Sequence, residues 1–327
     1  MQHLDPHQRP PDGIRNVYKR YQKMKLKELD QDQDIIDLSS DVSVSAGSRV
    51  RLVKEWTSDE LSAIFGVGLH IIPSLLPPEI QHLLLSRLLH RDLSNPAHLT
   101  NIHTHYKVSY PPLSPPTTQS STSPSFFSLP PSAPSVIATP IDPTIHKPLN
   151  ISQLLNKKLR WTTLGGQYDW TAKRYPEAAP PPFPLDIKEL LEGVFTDTKA
   201  EAAIVNLYSP GDTLSVHRDV AEASSTGLVS ISLGCDAIFV IGTSVPDDHG
   251  AEGQEKVLAL RLRSGSAVYM SGASRFAWHG VPQIVPGTCP EYLRDWPGTP
   301  DGGGQYEEWK GWMARKRVNL NVRQMQD

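Results

Sequence analysis

From Ile204 onward the chain is a succession of short apolar runs, and that rhythm restricts the fold more than any other feature of the sequence. The runs are Ile204 to Tyr208, Thr213 to Val216, Leu228 to Leu233, Ala237 to Ile241, Val257 to Leu262, Ala267 to Met270, Phe276 to Val281 and Val318 to Val322. Most joints carry Gly or Pro, as at Pro210-Gly211, Gly234, Gly242, Gly265, Gly272 and Pro282, which is how short strands are bounded. Eight such runs without intervening long helices predict a mainly β fold with flanking helices, a double-stranded β-helix of the jelly-roll or cupin-like kind. They argue against a parallel α/β sheet.

The N-terminal half reads as helical support for that barrel. Ile14, Val17, Tyr18 and Tyr21 recur at helical spacing among Arg15, Lys19, Arg20, Lys23, Lys25 and Lys27, so a basic helix either docks with a solvated face or meets nucleic acid. Gly68 to Asp92 begins as a strand and restarts at Pro77-Pro78-Glu79 as an apolar helix. Leu185 to Phe195 makes a second, amphipathic one. Of the 38 residues from 111 to 148, 11 are Pro and 13 Ser or Thr. That composition buries too little apolar surface to offset its ordering entropy. The expected organisation is therefore an N-terminal extension over 1–66, one folded domain made of 67–110 and 149–327, and a disordered insertion over 111–148.

Cys235 and Cys289 are too few for a disulfide framework. With neither an apolar run of membrane-spanning length nor a leader-like start, a soluble monomer of the cytosol or nucleus is expected, a mitochondrial pool being left open. A net charge of -3 means that a nucleic-acid partner would have to meet local basic patches.

The stretch Ile204 to Asp219 carries the first chemistry. A tight turn at Ser209 to Asp212 joins two strands, and a period of two puts His217 and Asp219 on one face. An imidazole and a carboxylate aimed at one point are two ligands of a 2-His-1-carboxylate iron site. The triplet alone is weak, since His3-Leu4-Asp5 and His90-Arg91-Asp92 share it; only the third follows a strand-turn-strand pattern. A second histidine must come from a distant strand, and His279, beside small Gly280, is placed for that. A histidine in an apolar strand can equally be a satisfied core residue.

The final run reads Arg317-Val318-Asn319-Leu320-Asn321-Val322-Arg323, so alternation puts both arginines and both asparagines on one face. That face is either a solvated edge or points into the barrel, where two guanidinium groups require an anion. A dicarboxylate such as 2-oxoglutarate meets the need, because Arg forks match carboxylates bidentately. Asn206 and Tyr208 share a face of the opening strand and add donors. Near Lys157, Lys158, Arg160, Lys173 and Arg174 stand Trp161, Tyr168 and Trp170, which form either a packed hairpin or a surface that stacks nucleobases.

Asn206-x-Tyr208, His217-x-Asp219, His279 and Arg317-x-Asn319-x-x-x-Arg323-Gln324 together resemble the signature of the AlkB family of iron(II)- and 2-oxoglutarate-dependent dioxygenases, over Gly68 to Gln324 without the proline-rich insertion. VSISLGCDAIFVIG, YMSGASRFAWHGVP and ARKRVNLNVRQ look most like the branch typified by the first human AlkB homologue. The resemblance implies that His217, Asp219 and His279 bind iron(II), and that Asn206, Tyr208, Arg317, Asn319 and Arg323 hold 2-oxoglutarate. Trp161 and Tyr168 would lie on the substrate side, with Trp161 and His217 sandwiching an extruded base. It also implies oxidative N-demethylation of methylated adenine in tRNA or DNA, releasing formaldehyde, succinate and carbon dioxide. A protein or histone demethylase and a catalytically silent nucleic-acid-binding module are the alternatives. Where the bacterial prototype has an Asp two residues past the metal carboxylate, this chain has Ala221, so the bacterial substrate preference does not carry over directly. The segment Pro286 to Arg315, with Gly302-Gly303-Gly304 and a helix expected over Tyr306 to Arg315, is longer than in that prototype and would cover the site.

Overall fold

The computed structural model describes residues 4–5, 7–38, 51–52, 68–111, 125–170, 172–244, 255–298, 304 and 306–327. Two six-stranded sheets dominate it. The first runs β2 (Arg51–Leu52), β1 (Ile35–Asp37), β12 (Glu255–Leu262), β11 (Ala237–Ser244), β14 (Trp278–Ile284), β9 (Leu214–His217). The second runs β3 (Leu69–Ile72), β13 (Ala267–Met270), β10 (Leu228–Gly234), β15 (Arg317–Arg323), β8 (Ala202–Tyr208), β7 (Trp161–Gly165). Apart from the parallel pairings of β1, every ladder in both sheets is antiparallel. One core holds side chains of both sheets, from Phe239, Ile241 and Leu260 on one to Val205, Val229 and Leu320 on the other. This is the double-stranded β-helix expected from the strand rhythm.

The turn at Ser209 to Asp212 does form, with Asp212 N–H donating to Ser209 O at 2.9 Å and Gly211 at φ +95°. It does not make a hairpin: β8 pairs with β7 and β15, whereas β9 pairs with β14 in the opposite sheet. The turn is a crossing between sheets, which is how one continuous stretch comes to serve both walls of the barrel.

Central placement of β15 between β10 and β8 explains its composition. Val318, Leu320 and Val322 are fully buried, and Arg317, Asn319 and Arg323 on the opposite face are buried as well. The solvated-edge alternative therefore fails. Both faces of this sheet are covered because the helices Pro78–Ser86 and Leu185–Val194 add Leu84, Leu85, Ile187 and Leu191 to the core.

The helix Asp12–Lys23 docks on the barrel. Ile14, Tyr18 and Tyr21 are buried, Tyr21 packing with Ile238, Val240 and Ala259 of the first sheet, and Glu255 accepts the Ile14 N–H at 2.9 Å. Part of its cationic face is neutralised locally, Arg15 by Asp12 at 2.8 Å and Arg20 by Asp34 at 2.8 Å. That favours the docking role over a nucleic-acid contact.

Two expectations need correcting. The insertion is not disordered from residue 125 on: β5 (Val136–Pro140) bridges β4 (Tyr106–Val108) and β6 (Leu149–Asn150) in a third sheet. Phe126 and Phe127 are each 2% exposed, Phe127 meeting Trp296, Trp309 and Trp312 edge-on at 5.2, 5.5 and 5.2 Å. Two buried aromatics supply apolar area that the Pro/Ser/Thr count hid; residues 112–124 lie outside the described residues. The helix expected over Tyr306 to Arg315 is instead two 3₁₀ turns, Glu307–Trp309 and Met313–Arg315, interrupted where Gly311 adopts φ +84°. Gly302 and Gly303 lie outside the described residues.

Candidate metal and co-substrate site

The two histidines face each other across a ladder. His217 at the end of β9 is the register partner of His279 on β14, with ring centroids 4.5 Å apart. Gly280 permits this approach, because a Cβ there would sit 2.9 Å from Leu214 O and 3.1 Å from the Val216 backbone. Each ring is oriented from its own chain: Nδ1 of His217 lies 2.9 Å from Ser215 O, and Nδ1 of His279 lies 3.0 Å from Ala277 O. A carbonyl can only accept, so Nδ1 carries the hydrogen in both and the Nε2 lone pairs are left to bind a metal.

Asp219 closes the group, although not as a strand alternation would place it, because β9 ends at His217. Its Oδ1 is 3.7 Å from His217 Nε2 and its Oδ2 is 3.8 Å from His279 Nε2. One ligand atom from each of the three residues lies within 4.8 Å of the others. Two nitrogens and a carboxylate oxygen converging on one point suit a facial-triad iron(II) site. Burial alone would raise the Asp219 pKa, but Arg323, His217, His279 and Arg275 outweigh it and hold the carboxyl well below the usual range. Burial, reinforced by His217, lowers His279 to about 4. At neutral pH the group is thus one carboxylate and a neutral imidazole on His279, both ready to bind a cation.

A buried arginine-bearing strand face adjoins the triad through Arg323. Arg317 is 1% exposed, and its hydrogen bonds go to neutral acceptors: Ser232 Oγ at 2.8 Å, Cys235 O at 3.2 Å and Leu262 O at 3.5 Å. Burial lowers its pKa to about 10. Its Nε and the hydroxyl of its register partner Tyr208 are buried without hydrogen-bond partners among the described residues. A buried cation and a buried hydroxyl left unpaired together are costly unless a ligand satisfies them. A carboxylate of 2-oxoglutarate fits that need. At the other end of β15, Arg323 Nη2 lies 2.8 Å from Asp219 Oδ2. Asn206 and Asn319 are register partners between the two arginines; Asn319 Nδ2 is engaged with Ser230 Oγ at 2.9 Å and Ile231 O at 3.0 Å.

On the substrate side, Trp161 of β7 stands opposite Asn206 and meets Trp170 at 5.6 Å. Tyr168 meets Trp170 edge-on at 5.0 Å and Tyr175 at 5.2 Å. Burial, then the Asp219 and Glu222 carboxylates, push Tyr168 up to about 12, so it remains a neutral phenol. Trp170 is 42% exposed. Ala221 lines a cavity of about 720 Å³ together with Tyr175, Gln167 and Glu201. Tyr175, Glu222 and Arg275 were not singled out from the sequence, since no periodicity or spacing marks them; their partners lie 47 to 56 residues away.

Residues 131–323 match the 2OG-Fe(II) oxygenase superfamily. The chain is 45% identical to the N6-methyladenosine RNA demethylase ALKB1 of Pyricularia oryzae, over 99% of this chain and 98% of that protein. It is 50% identical to the N6-methyladenosine RNA demethylase ALKBH of Cryphonectria parasitica, over 69% of this chain and all of that protein. It is 48% identical to the tRNA demethylase abh1 of Schizosaccharomyces pombe, over 55% of this chain and 57% of that protein. With the triad, the buried arginines and the barrel in place, these matches lead to one conclusion: the chain belongs to the 2OG-Fe(II) oxygenase superfamily.

Proposed function

We propose that this protein is an iron(II)- and 2-oxoglutarate-dependent demethylase of N-methylated adenine in nucleic acid, with RNA as the first substrate to test. The observation that carries the reading is a His217-Asp219-His279 ligand group set between a buried arginine face and a half-exposed aromatic wall. Iron(II) and 2-oxoglutarate, when bound, would supply oxidation by dioxygen: one oxygen atom enters succinate as 2-oxoglutarate loses carbon dioxide, the other hydroxylates an N-methyl carbon, and the hydroxymethyl product releases formaldehyde.

The residues of this chain orient and neutralise. Arg323, beside Asp219, and Arg317, with the unpartnered hydroxyl of Tyr208, would hold the two carboxylates of 2-oxoglutarate. Asn206, in register with Asn319, lines the path between them. Trp161 and Trp170 offer stacking faces for an unstacked base. Exposed Lys157, Lys158 and Arg174 provide local cations for its phosphates despite the net charge of -3. Cytosolic or nuclear residence goes with this reading and is supported by two buried free cysteines; a monomer is the oligomeric state proposed with it.

The test is incubation of the purified chain with iron(II), 2-oxoglutarate and ascorbate, offering N6-methyladenine RNA, 1-methyladenine tRNA, methylated DNA and methylated histone peptide, and measuring formaldehyde and methyl loss. Turnover on nucleic acid is expected. Turnover on histone peptide alone, or none on any substrate by metal-loaded protein, would overturn the reading.

A further inference from the structure

Asp219 is the one triad member outside regular structure. β9 stops at His217, β10 begins at Leu228, and the segment between them is irregular. Beyond the sheets, its first backbone anchor is Ala223, whose N–H donates to Met325 O at 3.0 Å. Something other than the ladder must therefore hold the metal carboxylate opposite the two histidines.

Arg275 lies in a 3₁₀ turn, Gly272–Phe276, leading into β14, and is 1% exposed. It spans the irregular segment with three donors: Nη1 to Asp219 O at 2.8 Å, Nε to Thr226 O at 2.9 Å and Nη2 to Glu222 Oε2 at 3.1 Å. The side chain of Glu222 is 1% exposed and both its oxygens are engaged. Oε1 accepts from Tyr175 OH at 3.2 Å and lies 3.4 Å from Arg323 Nε. Arg323 returns to Asp219 Oδ2 at 2.8 Å. The result is a closed ring of two cations and two anions, Asp219, Arg323, Glu222 and Arg275, in which Glu222 is outside the ligand group and Arg275 bonds the main-chain carbonyl of Asp219.

We propose that Arg275 and Glu222 are positioning residues that hold Asp219 in ligand geometry, so that metal affinity depends on them although neither belongs to the ligand group. A rigid guanidinium bonded to both ends of the segment, at Asp219 O and Thr226 O, sets the path of the backbone. Glu222 keeps that guanidinium in place and holds Arg323 in register for Asp219. With its oxygens occupied, Glu222 is not available to read a base, even though it is adjacent to Ala221. The inference rests on the iron-site reading and not on the nature of the substrate.

Position and charge make opposite predictions. Loss of the Arg275 cation leaves excess negative charge near the site, which by Coulomb attraction alone would tighten binding of a dication. Loss of positioning weakens it. The experiment is titration of chelator-treated full-length protein with cobalt(II), followed by visible absorbance, with thermal unfolding in parallel. Arg275→Gln and Glu222→Gln are each expected to weaken cobalt(II) binding by about 10- to 100-fold, the usual effect of losing an outer partner of a metal ligand. The double variant should be no weaker than the worse single one, because the pair acts as a unit, and Arg275→Lys should be intermediate. Arg261→Gln, which breaks a buried ion pair with Asp236 remote from the triad, should leave cobalt(II) affinity unchanged. Unchanged or tighter binding by Arg275→Gln, or equal weakening by Arg261→Gln, overturns the proposal; if Arg275→Gln does not fold, the near-isosteric Glu222→Gln decides, with unchanged affinity again overturning it. A demethylation assay that fails while cobalt(II) affinity responds as stated removes the substrate assignment and leaves this one standing.

Discussion

Arg323 Nη2 lies 2.8 Å from Asp219 Oδ2, which ties the last strand of one sheet to a carboxylate that faces two histidines of the other. Neither partner would be stable alone at this depth: burial opposes the charge of each, and each is what offsets that penalty for the other. The pair joins the co-substrate side of the barrel to the metal side without a main-chain connection.

Asp219→Ala is expected to abolish both turnover and metal retention, measured as bound iron after desalting, because it removes the only carboxylate of the ligand group. His90→Ala should leave iron bound, since His90 belongs to an aromatic cluster, stacked on Tyr306 at 4.4 Å. Loss of iron from His90→Ala would place the metal at His90-Arg91-Asp92 instead.

Arg317→Met separates ligand binding from folding. Exchange of a buried cation with only neutral partners for an apolar chain is often neutral or stabilising, so the unliganded variant should melt at or above the wild-type temperature. Saturating 2-oxoglutarate at about 100 Kd stabilises a binding-competent fold by about 2.7 kcal/mol, and this increment should vanish in Arg317→Met. A melting curve that still rises with 2-oxoglutarate would remove Arg317 from the co-substrate site.

Trp170→Ala should raise the nucleic-acid KM by roughly 5- to 150-fold, the equivalent of about 1–3 kcal/mol of stacking per base. The 2-oxoglutarate KM should be unchanged, because Trp170 lies on the exposed side of Trp161. Equal effects on both constants would mean that the aromatic wall is packing and not a binding surface.

Phe127→Ala tests whether residues 125–148 belong to the fold. Truncation of a fully buried Phe costs about 3–5 kcal/mol, and urea unfolding should show a loss of that size. A change within 0.5 kcal/mol, about what surface positions give, would restore the disordered insertion.

Acid sensitivity should follow His90, which burial lowers to about 4 from an ordinary value of 6.5. Between pH 6.5 and 4 the unfolded chain carries a proton on His90 that the native chain does not, so stability must fall as pH falls through that window and be flat above it. Urea midpoints from pH 7 to 4 should decline, and His90→Gln should flatten part of the decline. An identical slope in His90→Gln would place the acid sensitivity elsewhere.

The strand rhythm after Ile204 and the alternating final strand are local patterns, legible because side-chain period reports the surface a residue faces; His217-x-Asp219 and His279 were legible as ligand residue types, Asp219 itself lying past the end of β9. What sequence by itself determined was therefore the barrel class and the types of residue that converge in it. The tertiary structure alone decided that the Ser209 to Asp212 turn crosses between sheets, that Arg317 and Arg323 point inward, and that Phe126 and Phe127 bring part of a proline-rich stretch into the core. It alone joined Arg275 to Asp219 and to Glu222, across 56 and 53 residues of chain. The physical reason is that periodicity encodes which side of an element is buried, whereas the partner found there depends on which distant strands are paired, and no local pattern contains that register.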